Sequence, residues 1–359
     1  MEKHGADVRV RRLTTKSQFV ALLYSQLGGA TGLREIEAAL MSHQLRLYHA
    51  GARPVHRSTL ADANAIRPWQ VFAELFTEMV RQGHRGLRRA TQDAVRLVDS
   101  TGVRLSRLSA DWAKFSARVC RAKVHVIYDP DADRPLYFAV SPANVNDITA
   151  AKAMPIEAGA TYVFDLGYYD YGWWARLDGA GCRIVTRLKS NTPLNVVREN
   201  RVPDGTNILS DRIGYLPARL ANSRKNPMQE PVREIRVRIE TGKILRLLTN
   251  DLDAPATEIS DLYKQRWQIE LFFRWVKQTL KIKHFFGTSE NAVRIQIAVA
   301  LIAFLLLRMA QAANKIFSSP LQFARLVRAN LMHRRRIDRL LEPEQPPPLN
   351  TNQLSLELC

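Results

Sequence analysis

Apolar positions over residues 18–90 recur at steps of three and four, which predicts helices. QFVALLYSQLGG runs to a Gly pair, and LREIEAALMSHQLRLYHAG reads as one helix to a closing Gly. HRSTLADANAIRP has a candidate N-cap at Ser58 and stops before Pro68; WQVFAELFTEMVRQ is amphipathic. Short helices with Gly turns suit a helix-turn-helix module or a plain bundle. Near residue 91 the period changes to two. AVRLVDSTGVRL (94–105) is an apolar run ending at Asp99 and then a turn. AKVHVIYD (122–129) and LYFAVSPA (136–143) read as further strands, and NDITAAKAMPIEAGA as helical or irregular. TYVFDLGYYD (161–170) is a short strand delivering Asp165 at its C-terminal edge. YYDYGWWARLDGAG predicts a helix with a Gly stop, and CRIVTRLK (182–189) a fifth strand. Three strands that can meander, followed by strand and helix units, predict an α/β fold: a mixed sheet flanked by helices.

Residues 191–250 change texture again. They are rich in Asn, Pro, Arg and Asp and hold a hairpin in REIRVRIETGKILRLLTN, where Ile235, Val237 and Ile239 alternate with Arg236, Arg238 and Glu240 and Thr241-Gly242 turns. This is a β-rich insertion. DLYKQRWQIELFFRWVKQTL (261–280) reads as one helix, apolar around most of its circumference. IAVALIAFLLL (297–307) is too short to span a bilayer and reads as a buried core helix, so no membrane partner is expected. MHRRRIDRL (332–340) predicts a basic helix before a Pro-rich tail. The predicted units are 1–90, 91–190 with 251–315, 191–250, and 316–359.

Charge narrows the partner. Lys and Arg number 53 against 34 acids, a net +19 with a pI near 10.2. With 46% hydrophobic residues the chain is globular, and such a surplus on a folded chain points to a polyanion, nucleic acid first and an anionic membrane second. The three cysteines, Cys120, Cys182 and Cys359, form neither a disulfide framework nor a zinc motif, which fits a reducing compartment. MEKHGADVRVRRLTTKSQ lacks the apolar stretch of a signal peptide. There is no HExxH pattern and no phosphate-binding GxxxxGK[ST] loop.

Three acids stand out by context. Asp99 and Asp165 end apolar runs, and Glu270 lies in helix 261–280 on a stripe with Tyr263, Arg266, Arg274 and Lys277. Arg266–Glu270 and Glu270–Arg274 are also ordinary i,i+4 pairs, worth about 0.2–0.5 kcal/mol each on a solvated face. If the three carboxylates converge, they make an oxygen site for Mg²⁺ or Mn²⁺, and two such ions support phosphoryl transfer. The basic residues of the stripe would then hold DNA phosphates.

The spacing Tyr263-x2-Arg266-x3-Glu270-x6-Lys277 resembles the tyrosine, arginine, glutamate, lysine signature of the DDE transposases of the insertion sequence 4 family. DLGYYD (165–170) resembles that family's second motif and VDSTGVRL (98–105) its first, in the same order, with a long insertion before the Glu. The resemblance covers most of residues 15–310. It implies an RNase H-like fold with a helical N-terminal DNA-binding domain and a β-rich insertion. It implies Asp99, Asp165 and Glu270 as ligands of two metal ions, and Tyr263, Arg266, Lys277 and Arg274 as contacts to DNA. Its implied partners are double-stranded DNA, as terminal inverted repeats and target, and a second copy in a homodimer. Its implied setting is the bacterial cytoplasm at the nucleoid. Related enzymes hold a flipped base against a tryptophan of the insertion; residues 190–250 here contain no Trp, and Tyr215 is their only aromatic. Trp173 and Trp174 are the nearest substitutes by sequence, though paired Trp on a helix also read as core. Two other functions fit parts of the pattern: a non-catalytic sequence-specific DNA-binding protein, and an RNase H-like structure-specific nuclease.

Overall fold

A computed structural model of the chain describes residues 2–8, 10, 13–84, 94–219, 224–280, 282, 284–314, 319–333 and 336–340. The N-terminal part holds α1 (Thr15–Gly28), α2 (Leu33–Ser42), α3 (Gln44–Leu47), α4 (Arg57–Ile66) and α5 (Gln70–His84). Thr14 caps α1 by accepting from the Ser17 N–H, and Gly29, at φ 76°, ends it. The helix predicted over 33–51 breaks at His43, whose backbone (φ −106°, ψ 20°) leaves the helical region. The cap of α4 is His56, without a side-chain capping bond, so Ser58 lies inside the first turn. Leu13, Ile36, Leu40, Leu47 and Leu60 form this part's own core.

The sheet is built from β1 (Val95–Leu105), β2 (Lys114–Ser116), β3 (Val119–Asp129), β4 (Arg134–Pro142), β5 (Thr161–Phe164) and β6 (Arg183–Arg187), with α6 (Ala110–Ala113), α7 (Asp147–Ala151) and α8 (Tyr171–Gly179) between strands. β4, β3 and β1 pair antiparallel; β1, β5 and β6 pair parallel, giving the spatial order β4-β3-β1-β5-β6. This is the RNase H-like arrangement. β1 does not stop at Asp99. β3 keeps pairing with it from Asp99↔Val126 to Leu105↔Cys120, so the strand runs on although its other neighbour, β5, ends at Phe164. Asp99 thus sits within a strand, at the point where the sheet loses a partner on one side.

The insertion contributes β7 (Asn195–Glu199), β8 (Ile208–Tyr215), β9 (Val232–Arg238) and β10 (Ile244–Thr249). The expected hairpin forms, with Gly242 at φ 79° in its turn. The insertion is not a separate β-body: β10 pairs antiparallel with β6, and β9, β8 and β7 extend the same sheet to ten strands.

Successive side chains of a strand face opposite ways, so each strand serves two cores. Leu97, Val163, Val185, Ile235 and Leu247 face one side, under α9 (Ala256–Gln265), α10 (Trp267–Thr279) and α11 (Glu290–Ala313). Val98, Phe164, Ile184 and Leu248 face the other, with Trp173, Trp174 and Leu177 of α8. Trp173 and Trp174 are 1% and 0% exposed and serve the core.

The predicted single helix 261–280 is two helices. At Arg266 the bonds tighten to three-residue steps, Arg266 N–H to Tyr263 O and Ile269 N–H to Arg266 O, and this tightened step, still right-handed helical at φ −51° and ψ −29°, separates α9 from α10. Nor is α10 apolar inward all round, because Trp267 and Leu271 are 50% and 44% exposed. α11 is longer than the run 297–307: Ser289 caps it and it extends over 24 residues. It is the one helix among the described residues long and apolar enough to cross a membrane, and 78% of its most apolar window is buried inside the protein. The C-terminal helix α12 (Pro320–Ala329) lies upstream of the basic stretch. Its Arg328 donates to Leu27 O of α1 and Thr279 O of α10, so it packs on the body. Over 332–340 the described residues hold a 3₁₀ turn at Ile337–Arg339 in place of the expected helix. The Arg run at 85–89, Cys359 and the Pro-rich tail lie outside the described residues.

Candidate active site

Asp99 and Asp165 meet through register. Val98 pairs with Phe164, so the next residues, Asp99 and Asp165, lie side by side where β5 ends. Each follows by two a residue of the α10-side core, Leu97 and Val163, which sends both carboxylates toward α10. Asp165 is fixed as an N-cap: its Oδ1 accepts from Gly167 N–H at 2.8 Å. Asp99 Oδ1 accepts from Ser100 N–H at 2.7 Å.

Glu270 comes from the first turn of α10, on the side where Ile269 and Phe273 pack down on the sheet. Arg266, at the break before α10, reaches Glu270 Oε1 at 2.6 Å and Asp99 Oδ2 at 3.5 Å. One guanidinium thus serves two of the three acids, and its Nε is buried without a hydrogen-bond partner. Burial works against the Arg266 charge, yet Tyr263, Glu270 and Asp99 outweigh it and raise its pKa.

The electrostatics mark Asp99. Burial first, then the charges of Asp165 and Glu270, push its carboxyl up to about 6, against the opposing Ser100 N–H and Arg266. Asp99 therefore feels both other acids, while Arg266 reaches two of the three. An all-carboxylate oxygen set of this kind suits a hard divalent cation. Among the described residues no three His, Cys, Asp or Glu side chains are gathered around one point as a finished metal cage. Arg266 occupies Glu270 instead.

The remaining stripe residues separate. Tyr263 is 9% exposed, beneath Arg266, whose guanidinium carbon lies 5.8 Å from its ring centre. Burial raises the Tyr263 pKa against the nearby charges of Arg266 and Arg187. Lys277 lies half-buried in the last turn of α10. Arg274 is exposed and stacks on the Trp267 ring at 5.7 Å, two turns away. The sequence reading missed Arg187. Val163 pairs with Val185, so two residues on, Arg187 stands beside Asp165 on the α10 side, with its Nε buried and unbonded. The signal was a basic residue closing CRIVTR, but it carries meaning only once β5 and β6 are known to run parallel.

Residues 90–306 match the family model described as Transposase DDE domain, and residues 1–53 match one described as Domain of unknown function (DUF4372). The chain is 44% identical over 304 residues to a Sinorhizobium fredii protein named as the transposase y4zB, covering 84% of this chain and 82% of that protein. It is 30% identical over 257 residues to a Geobacillus stearothermophilus protein named as a transposase for insertion sequence element IS5377, covering 70% of this chain and 67% of that one. A shorter stretch of 93 residues, 23% of this chain and 21% of the relative, is 30% identical to the Escherichia coli transposase InsG for insertion sequence element IS4. Among solved structures the chain is similar to a piggyBac transposase synaptic complex with hairpin DNA, at 10% identity and a TM-score of 0.47, over 86% of this chain and 69% of that one; so loose a likeness carries no argument about residues. The family match over the sheet and the relatives matched along most of their length agree: the chain belongs to the DDE transposases and is a DNA transposase.

Proposed function

We propose that Asp99, Asp165 and Glu270 are the metal ligands of this transposase, taking two Mg²⁺ or Mn²⁺ ions. The DDE family generally uses divalent metals. When bound, such ions supply an activated attacking oxygen and stabilise the departing one. The observation that carries the reading is the register that sets Asp99 beside Asp165 under Arg266 and Glu270. Glu270 must exchange Arg266 for the metal site. The freed guanidinium of Arg266, with Arg187 and Lys277, then holds the phosphates of the DNA end, and Arg274 stacked on Trp267 contacts DNA further along α10. Tyr263 supports Arg266 from below and presents its hydroxyl beside a phosphate.

The substrate is the terminal inverted repeats of an insertion sequence and then target DNA. Water first cleaves a phosphodiester at the end and frees a 3′-OH, which then attacks a target phosphodiester and displaces its 3′ oxygen. Two ends must be processed together, so the working unit is a homodimer. The test is cleavage of inverted-repeat DNA beside gel retardation. Asp99→Ala, Asp165→Ala and Glu270→Ala each abolish cleavage and leave end binding intact; retained cleavage in any of them removes that residue from the ligand set.

A further inference from the structure

Behind the site, on the reverse face of the sheet, stands a fourth acid that the reading above does not use. Asp147 opens α7. Its Oδ1 accepts from Ser100 Oγ at 2.7 Å and lies 3.2 Å from Lys123 Nζ. Ser100 is the residue after Asp99, and strand alternation turns it to the face opposite the Asp99 carboxylate. Asp147 also reaches the second strand end. A Cβ added to Gly167 would lie 3.4 Å from Asp147 Oδ2 and 3.0 Å from Asp165 Oδ1. The Asp147 side chain therefore packs against the Gly167 turn, whose N–H serves Asp165.

The surroundings are a closed set. Lys123 also donates to Val145 O at 3.0 Å, which ties down the loop leading to Asp147. His125 pairs with Ser100 across the strands, is fully buried, and bonds Ser141 Oγ at 2.8 Å through Nε2; its Nδ1 lies 3.6 Å from Asp147. Burial lowers the His125 pKa to about 4, so the ring is neutral and Lys123 carries the countercharge of Asp147. Buried Tyr168 closes the other side, near Asp99, Asp147 and Asp165 together.

We propose that Asp147 is a positioning residue: it fixes Ser100 and the Asp165–Gly167 turn from behind, and so holds the Asp99 and Asp165 carboxylates at one spacing. This rests on the ligand assignment above. Groups that orient metal ligands in this way change affinity or activity by about 10–100-fold when removed. An ion pair that merely anchors α7 would change stability and leave metal affinity alone.

The test is calorimetric titration of the full-length protein with Mn²⁺ alone, with cleavage and melting temperature measured beside it. Asp147→Ala weakens Mn²⁺ binding and cleavage by about 10–100-fold with end binding retained. Asp147→Asn, which keeps an acceptor for Ser100, retains most of the affinity. Ser100→Ala, a mild change that removes the same bond, weakens Mn²⁺ binding in the same direction, and the double variant loses less than the two losses combined. Unchanged Mn²⁺ affinity in Asp147→Ala, or in Ser100→Ala should the former not fold, overturns the proposal. Asp165→Ala separates the two readings. If it keeps Mn²⁺ affinity, the ligand assignment itself fails; if it loses affinity while Asp147→Ala does not, only the role of Asp147 fails.

Discussion

Asp99, half-buried, and Glu234, buried, are acids of the same ten-stranded sheet, and the fold treats them in opposite ways. Glu234, with its side chain 2% exposed, takes Arg236 and Arg246 at 2.7 Å each. Burial alone would raise its pKa, yet those two guanidiniums hold it below the usual carboxylate range. Asp99, 17% exposed, has Arg266 at 3.5 Å, shared with Glu270, and two further acids as neighbours. Its carboxyl is pushed up to about 6. The insertion thus pairs its arginines closely with its own acids, as Arg233 does with Asp211 at 2.7 Å, whereas at the edge of β1 and β5 Asp99 has only the longer contact to a guanidinium that bonds Glu270 at 2.6 Å. A closely paired buried acid is costly to strip of its partner; a loosely paired one with acidic neighbours is what a bound cation would relieve.

The largest break is chemical. Asp99→Asn abolishes end cleavage without lowering the melting temperature, because it removes a charge that the metal-free fold disfavours. The matching substitution in the insertion, Arg233→Ala, strips Asp211 of its bidentate partner inside the sheet and costs about 3–5 kcal/mol in urea unfolding. Next comes pH. The fold favours protonated Asp99, since its pKa rises from 3.8 to about 6. Its contribution to metal-free stability is therefore full below pH 3.8 and is lost as pH rises through about 6, by up to about 3 kcal/mol. Asp99→Asn flattens that slope, and added Mg²⁺ restores stability at neutral pH in the wild type only; thermal melts at several pH values read both. The smallest effect is in salt. Lys277→Ala and Arg187→Ala each weaken end binding and reduce the slope of log affinity against log salt by about 1.

Much of the sheet was legible because its strands alternate or run apolar over four to eight residues, and the turn at Gly242 has local chemistry. The ligand candidates were legible as acids at odd places: strand ends for Asp99 and Asp165, a largely apolar helix for Glu270. What was not legible depends on partners distant in sequence. β1 outlasts Asp99 because β3 continues beside it, and the insertion joins the sheet because β10 finds β6. Arg187 and Asp147 acquire meaning only from the neighbours that pairing brings them. The break at Arg266 interrupts a periodicity that runs on unbroken in the sequence, so the stripe predicted for one helix divides between two.

The central claim is that Asp99, Asp165 and Glu270 serve the same divalent ions. Anomalous X-ray scattering from crystals of the full chain containing Mn²⁺ tests it most directly. The account predicts manganese density contacted by all three carboxylates, with Arg266 displaced from Glu270. Manganese bound elsewhere, or a site in which Glu270 stays on Arg266 and takes no part, would contradict it.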